Sequence, residues 1–158
     1  MSFDAMPRNG DGELPLDEGA VREFVGYNLK RAYMVLYPAA QAAVAELDLR
    51  IPTFSGLSVI VRNPGIAPSE LAERLSMERS NIVVVIDELE TRELVTRTKS
   101  KTDRRRFALT ATMRGKRLLD KAVAAIRRSE ERLLQRLTAE EQAKLVELLN
   151  KIEAASTD

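Results

Sequence analysis

The chain has 158 residues, 44% hydrophobic, 31% charged and only 4% aromatic, which fits one domain-sized core packed by aliphatic side chains and a mainly α fold. Its 25 basic and 24 acidic residues leave a net charge of +1, so any affinity for nucleic acid has to come from where the charges sit. Cysteine and histidine are both absent, which excludes disulfides, thiolate chemistry, ordinary zinc sites and histidine general bases; no metal site and no resident cofactor are expected.

Residues 1–20 carry Asp4, Asp11, Glu13, Asp17 and Glu18 among scattered Gly and Pro, without the basic-then-apolar order of a secretory signal, and read as a flexible arm. From Val21 the apolar residues Phe24, Val25, Leu29, Ala32, Leu36 and Ala40 recur at helical spacing, predicting a long first helix over 21–48 with Pro38 as a kink. Pro52 suits the first turn of a second helix through Phe54, Leu57, Ile60 and Val61, and Asn63-Pro64-Gly65 stops it. Pro68 opens a short helix to Leu75, a turn follows at Ser76-Met77-Glu78, and a further helix runs from Arg79 to Thr91 with Ile82, Val85, Ile86 and Leu89 on one stripe. Two short helices about a three-residue turn make a helix-turn-helix candidate.

After Arg92-Glu93 the period changes to that of strands: Leu94–Thr98 and Arg106–Thr110 are β-prone, and seven polar residues between them predict a hairpin with a basic tip. From Met113 a helical stripe resumes through Leu118, Leu119, Ala122, Val123, Ile126, Leu133, Leu134 and Leu137. Thr138-Ala139-Glu140-Glu141 has the form of a capping box, restarting a helix that carries Leu145, Leu148, Leu149 and Ile152. The expected organisation is an arm at 1–20, a dimerisation helix at 21–48, a DNA-binding lobe at 49–111 and dimerisation helices at 112–155. The longest branched apolar run, Ile82–Ile86, falls far short of the roughly 20 residues of a membrane span; the expectation is a soluble, cytoplasmic protein with no membrane partner.

A helix that reads DNA needs one face for the core and another small enough to enter the major groove. With Ile82, Val85, Ile86 and Leu89 turned inward, the Arg79–Thr91 helix presents Arg79, Ser80, Asn81, Val83 and Val84. Arg79 can donate to guanine or phosphate, Asn81 can pair with adenine, and the two valines suit thymine methyl groups. An ordinary buried helix would show the same stripe. The second feature is Arg97, Lys99, Lys101, Arg104, Arg105 and Arg106, with Asp103 the one acid among them. A solvated hairpin tip explains such a cluster, but a tip that follows a recognition-helix candidate can also lie over the minor groove, Asp103 aiming a neighbouring arginine. The outer helices carry more apolar stripe than the small lobe can cover, which predicts a two-fold homodimer with half-sites about 10 bp apart on an inverted-repeat operator; a monomer with folded-back helices is the alternative.

These residues resemble the MarR family of winged helix-turn-helix regulators. Asn63-Pro64-Gly65-Ile66-Ala67-Pro68-Ser69-Glu70-Leu71-Ala72-Glu73-Arg74-Leu75 is similar to the family's approach to the helix-turn-helix. Ile86-Asp87-Glu88-Leu89-Glu90-Thr91-Arg92-Glu93-Leu94-Val95 resembles the recognition-helix exit, and Asp103-Arg104-Arg105 followed by Leu109-Thr110 and Gly115 resembles the wing and its return. The resemblance covers about Val21 to Ala154. It implies a dimer on palindromic double-stranded DNA, usually a repressor released by a small aromatic or phenolic ligand, with Asp103 as the aiming acid, Arg105 in the minor groove and Arg104 on phosphate. Two departures stand out: Val84 where many relatives have arginine and Glu88 where a basic residue is common, both weakening the phosphate grip. Ala67 stands where a capping Thr or Ser is frequent, removing about 0.5–2 kcal/mol of side-chain capping.

The resemblance also implies an effector crevice that involves the first helix, where Tyr27, Arg31 and Met34 share a face and an arginine beside aromatics can hold an organic anion. Helix packing accounts for the same three residues. The expected function is a ligand-responsive DNA-binding repressor, the alternative a helical protein-interaction module of the same shape with little DNA affinity. No nucleophile, base and orienter come together in the pattern, so no enzyme is expected and no catalytic residue is assigned.

Overall fold

A computed structural model describes residues 19–99 and 107–154, and the chain divides into two compact units, 1–35 and 36–158. In chain order a 3₁₀ turn, Gly19–Glu23, precedes α1 (Val25–Ala45), α2 (Ile51–Arg62), α3 (Pro68–Arg74), α4 (Arg79–Thr91), strands β1 (Val95–Lys99) and β2 (Phe107–Ala111), α5 (Met113–Leu133) and α6 (Ala139–Ala154). The mainly α fold with one hairpin is as expected, and α4 has the expected bounds. The first helix starts four residues later than Val21, with the 3₁₀ turn before it, and Pro38 lies inside the continuous helix. Both strands sit one residue further along than expected.

The core of the lobe is an aliphatic cluster. Leu57 and Ile60 of α2, Leu71 of α3, Ile82, Val85, Ile86 and Leu89 of α4, Leu94, and Leu109 of β2 are all buried in it. All but Leu94, which lies just before β1, come from the apolar stripe of their own helix or from the inward side of a strand, so the 3.6 and 2.0 periodicities converge on one interior. A smaller cluster joins Val44 and Leu49 to Ala122 of α5.

The hairpin is antiparallel, with Val95 opposite Ala111, Arg97 opposite Leu109 and Lys99 opposite Phe107. A short third edge comes from the α2–α3 connection, where Gly65 N–H donates to the Leu109 carbonyl at 2.8 Å and Leu109 N–H donates back to Ile66 at 3.0 Å. Gly65 holds φ +91°, a left-handed conformation that explains glycine after Asn63-Pro64. The wing is thereby tied to the lobe along the edge of β2.

Three helix starts show how local chemistry sets the boundaries. The Ala67 N–H donates to the Glu70 carboxylate at 2.8 Å, so α3 keeps the reverse half of a capping box although alanine supplies no acceptor. Thr112 caps α5, its hydroxyl accepting from Gly115 N–H at 3.0 Å. Thr138 and Glu141 form the full reciprocal box of α6: Thr138 N–H donates to Glu141 at 2.7 Å and Glu141 N–H donates to the Thr138 hydroxyl at 3.2 Å. The backbone hydrogen bond from Thr138, and then that from its hydroxyl, hold the Glu141 carboxyl below its usual pKa.

Large apolar faces stay uncovered in the single chain. On α1, Val25, Leu29, Tyr33, Met34 and Val35 are exposed; α6 has no buried residue, and Leu145, Val146, Leu148 and Ile152 are open to solvent. Among the described residues no helix is long and apolar enough to cross a membrane.

Candidate nucleic-acid interface

The turn between α3 and α4 is tight. Ser76 takes φ +50°, its N–H donates to Glu73 at 3.1 Å, and Met77 N–H donates to Ala72 at 2.9 Å. The chain then enters α4 with Ile82, Val85, Ile86 and Leu89 fixed in the core, each no more than 2% exposed. A helix pinned by four residues on one stripe has no rotational freedom left, and its other side is determined. That side carries Arg79, Ser80 and Asn81, all exposed, with Val83 and Val84 at 48% and 56% exposure. All five residues expected to meet base edges or phosphates therefore lie open along the N-terminal half of α4. Val83 and Arg79 also border a groove of about 370 Å³ shared with Pro68, Ser69 and Phe107.

Glu88, expected to weaken the hold on phosphate, faces elsewhere. Its carboxylate is ion-paired with Arg50 and accepts a 3.0 Å hydrogen bond from the hydroxyl of Thr53, which is fully buried on α2. The acid is a tie between α2, at whose N-terminus Arg50 sits, and α4, and its charge has a counter-ion within the fold. No periodicity signals this pair, because its partners are 38 and 35 residues away.

Arg97 also changes role. Counted with the basic tip in the sequence, it instead reaches from β1 to α4, donating to Asp87 at 2.7 Å and pairing with Glu90, while its guanidinium lies 5.7 Å from the Phe107 ring centroid. Burial works against its charge, and the hydrogen bonds to Asp87 and Glu90 outweigh that, so its pKa is raised. Arg97 is a brace that sets the wing against the recognition-helix candidate. The tip residues Asp103, Arg104, Arg105 and Arg106 lie outside the described residues, as does Lys101.

A second clamp holds the far end of α4. Arg92, its C-terminal cap residue, donates to the carbonyl oxygens of Asp48 at 2.6 Å and Leu47 at 3.2 Å, closing onto the corner where Asp48 adopts φ +55°. Neither partner is a side chain, so only the folded corner reveals the site.

The residues expected at the effector site are on α1 in the 1–35 unit. Tyr27 is half-buried with the Arg22 guanidinium 5.6 Å from its ring centroid, Arg31 is exposed, and Met34 is 58% exposed.

Comparison with known proteins agrees with this geometry. Residues 49–107 match the model of the MarR family. The HTH-type transcriptional repressor Rv2887 of Mycobacterium tuberculosis is 34% identical over 128 residues, spanning 81% of this chain and 92% of that protein. The transcriptional repressor CouR bound to a 23-mer DNA duplex superposes with a TM-score of 0.80 at 34% identity, covering 89% of this chain and 99% of that one. Rv2887 in complex with p-aminosalicylic acid gives a TM-score of 0.67 at 33% identity over 82% of this chain and 98% of that one.

Proposed function

This chain belongs to the MarR family, and on that premise we propose that it is a DNA-binding transcriptional repressor that works as a homodimer on a palindromic operator and responds to a small organic ligand. The observation that carries the reading is the two-sidedness of α4: a stripe of four core residues on one side and five exposed residues of groove-compatible size on the other. In this reading Arg79 meets phosphate or guanine, Ser80 and Asn81 approach base edges with Asn81 on adenine, and Val83 and Val84 lie against thymine methyl groups. Asp103 aims Arg105 into the minor groove, with Arg104 and Arg106 on the flanking backbone.

Dimerisation supplies what one chain lacks. The uncovered faces of α1 and α6 present bulky aliphatic side chains of the kind that soluble proteins bury against a partner. The effector is an aromatic or organic anion held by Arg31 with Tyr27 and Met34 beside it; the p-aminosalicylic acid bound by Rv2887 is of that chemical class. The reading places the protein in the cytoplasm, with its DNA, and assigns it no catalytic step.

The test is a fluorescence-anisotropy titration on duplexes selected by the purified protein from its own upstream region. Affinity should fall steeply as salt rises, because phosphate contacts release counterions. Arg105→Ala should weaken all duplexes alike, whereas Asn81→Ala should change the order of preference. Binding that is undetectable or insensitive to salt would refute the repressor and favour a protein-interaction module.

A further inference from the structure

At the other end of the recognition helix the fold assembles a basic groove that the DNA reading does not use. Arg92, Leu94, Arg114, Arg117, Leu118 and Lys121 line about 330 Å³, within the roughly 300–1,000 Å³ of small-ligand sites. Four of the six are cations and none is an acid. Arg114, Arg117 and Lys121 stand at i, i+3 and i+7 of α5, hence on one face. Arg92 comes from the end of α4, its guanidinium already oriented by the Leu47 and Asp48 carbonyls.

Little of this charge is neutralised. Arg114 pairs with Glu93 at 3.2 Å, between two exposed side chains, and among the described residues Arg117 and Lys121 make no ion pair. The groove is also remote from the base-reading face. Thirteen residues of helix separate Arg79 from Arg92, about 20 Å at ~1.5 Å per residue, so a duplex engaged by Arg79–Val84 would not put its phosphates here by the same contact.

We propose that this groove is a binding site for a small organic diphosphate, its charged group held by Arg92, Arg117 and Lys121 and its organic part lying beside Leu94 and Leu118. With Arg114 paired to Glu93, a monocarboxylate would compensate one of the three remaining charges; a diphosphate compensates two or three and can accept from several guanidinium donors at once. The site is separate from the one assigned to Tyr27, Arg31 and Met34. Because Arg92 caps the recognition helix, an anion here would act on the end of α4 opposite the DNA face; that regulatory consequence rests on the repressor reading, whereas binding itself does not.

The experiment is isothermal titration of the full chain, without DNA, with coenzyme A, ADP, inorganic pyrophosphate and salicylate, repeated on Arg117→Ala/Lys121→Ala. The organic diphosphates should bind, and the double variant should lose at least about tenfold in affinity for them, the scale of one charge-assisted contact. Salicylate binding should be the same in both proteins. Both side chains are exposed, so the melting temperature should not move; the single change Lys121→Gln should act in the same direction by a smaller factor. Absence of binding by coenzyme A and ADP, or equal affinity in parent and variants, would overturn the proposal. So would a loss of affinity for duplex DNA in the ligand-free double variant as large as its loss for ligand, which would make the groove a contact to the DNA backbone.

Discussion

Replacing Gly115 by alanine sets two known effects against each other. Gly115 is at the third position of α5, where helix propensity alone would make alanine the better residue by about 0.5–1 kcal/mol. A Cβ there would lie 2.1 Å from the Leu94 carbonyl oxygen, 3.0 Å from its carbon and 3.3 Å from the Leu57 side chain. Leu94 cannot withdraw at low cost. It is 1% exposed, and its carbonyl accepts from the Thr112 N–H at 2.9 Å and from the Thr112 hydroxyl at 3.2 Å, the same hydroxyl that caps α5. Relief needs a shift of about 1 Å between the wing base and the helix start, and overpacking of this kind costs about 1–3 kcal/mol or more. Sterics therefore win, by about 2 kcal/mol net. At about 2–4 °C per kcal/mol for a chain of this size, the melting temperature should drop by about 4–8 °C. Circular dichroism melts at one fixed protein concentration measure it, since the proposed dimer would make the midpoint concentration-dependent. Gly26→Ala is the internal control: nothing lies within 4 Å of its Cβ, so the same substitution in α1 should be neutral or slightly stabilising. A Gly115→Ala protein that melts at or above the parent would refute the close-approach argument.

Glu88→Ala leaves the Thr53 hydroxyl buried without its partner and Arg50 without its counter-ion, so chemical denaturation should show a loss of about 1–3 kcal/mol. Arg97→Ala removes the brace from β1 to Asp87 and Glu90; the expected outcome is weaker DNA binding with a broadened amide spectrum for the wing, and an unchanged affinity would show that the wing is positioned without it. For Glu141 the sign follows from its lowered pKa in the folded chain. Its contribution to the α6 cap is present above the ordinary carboxylate value of about 4.3 and fades as pH falls through the folded value. The stability gap between the parent and Glu141→Gln should thus be widest near neutral pH and close in acid, as followed by hydrogen exchange in α6. Gly65→Ala should destabilise the α2–α3 turn by about 1–2 kcal/mol in thermal melts, since φ +91° disfavours any side chain.

Local chemistry made much of this protein legible in its sequence. Apolar residues at i, i+3, i+4 and i+7 fixed the inward stripe of α4, and because a helix with one face buried has no choice about the other, the exposure of Arg79, Asn81 and Val84 followed from the pattern alone. Pro68, the left-handed turn at Ser76 and the Thr138–Glu141 box act within a few residues, so helix boundaries could be read directly. What only the tertiary structure decided are contacts between segments far apart in the chain. In the sequence Glu88 is an unfavourable charge on the recognition-helix candidate, whereas in the fold the start of α2 brings Arg50 and Thr53 to it; Arg97 counts in the sequence as one more tip cation, whereas the hairpin register sets it beside Asp87 and Glu90. The groove of Arg92, Arg114, Arg117 and Lys121 belongs to the same class, since its cations come from the end of α4 and the start of α5, which are separated in the chain by the hairpin. Periodicity reports which way a side chain points from its own element, whereas the partner of a charge is set by folding over tens of residues, and no local pattern carries that information.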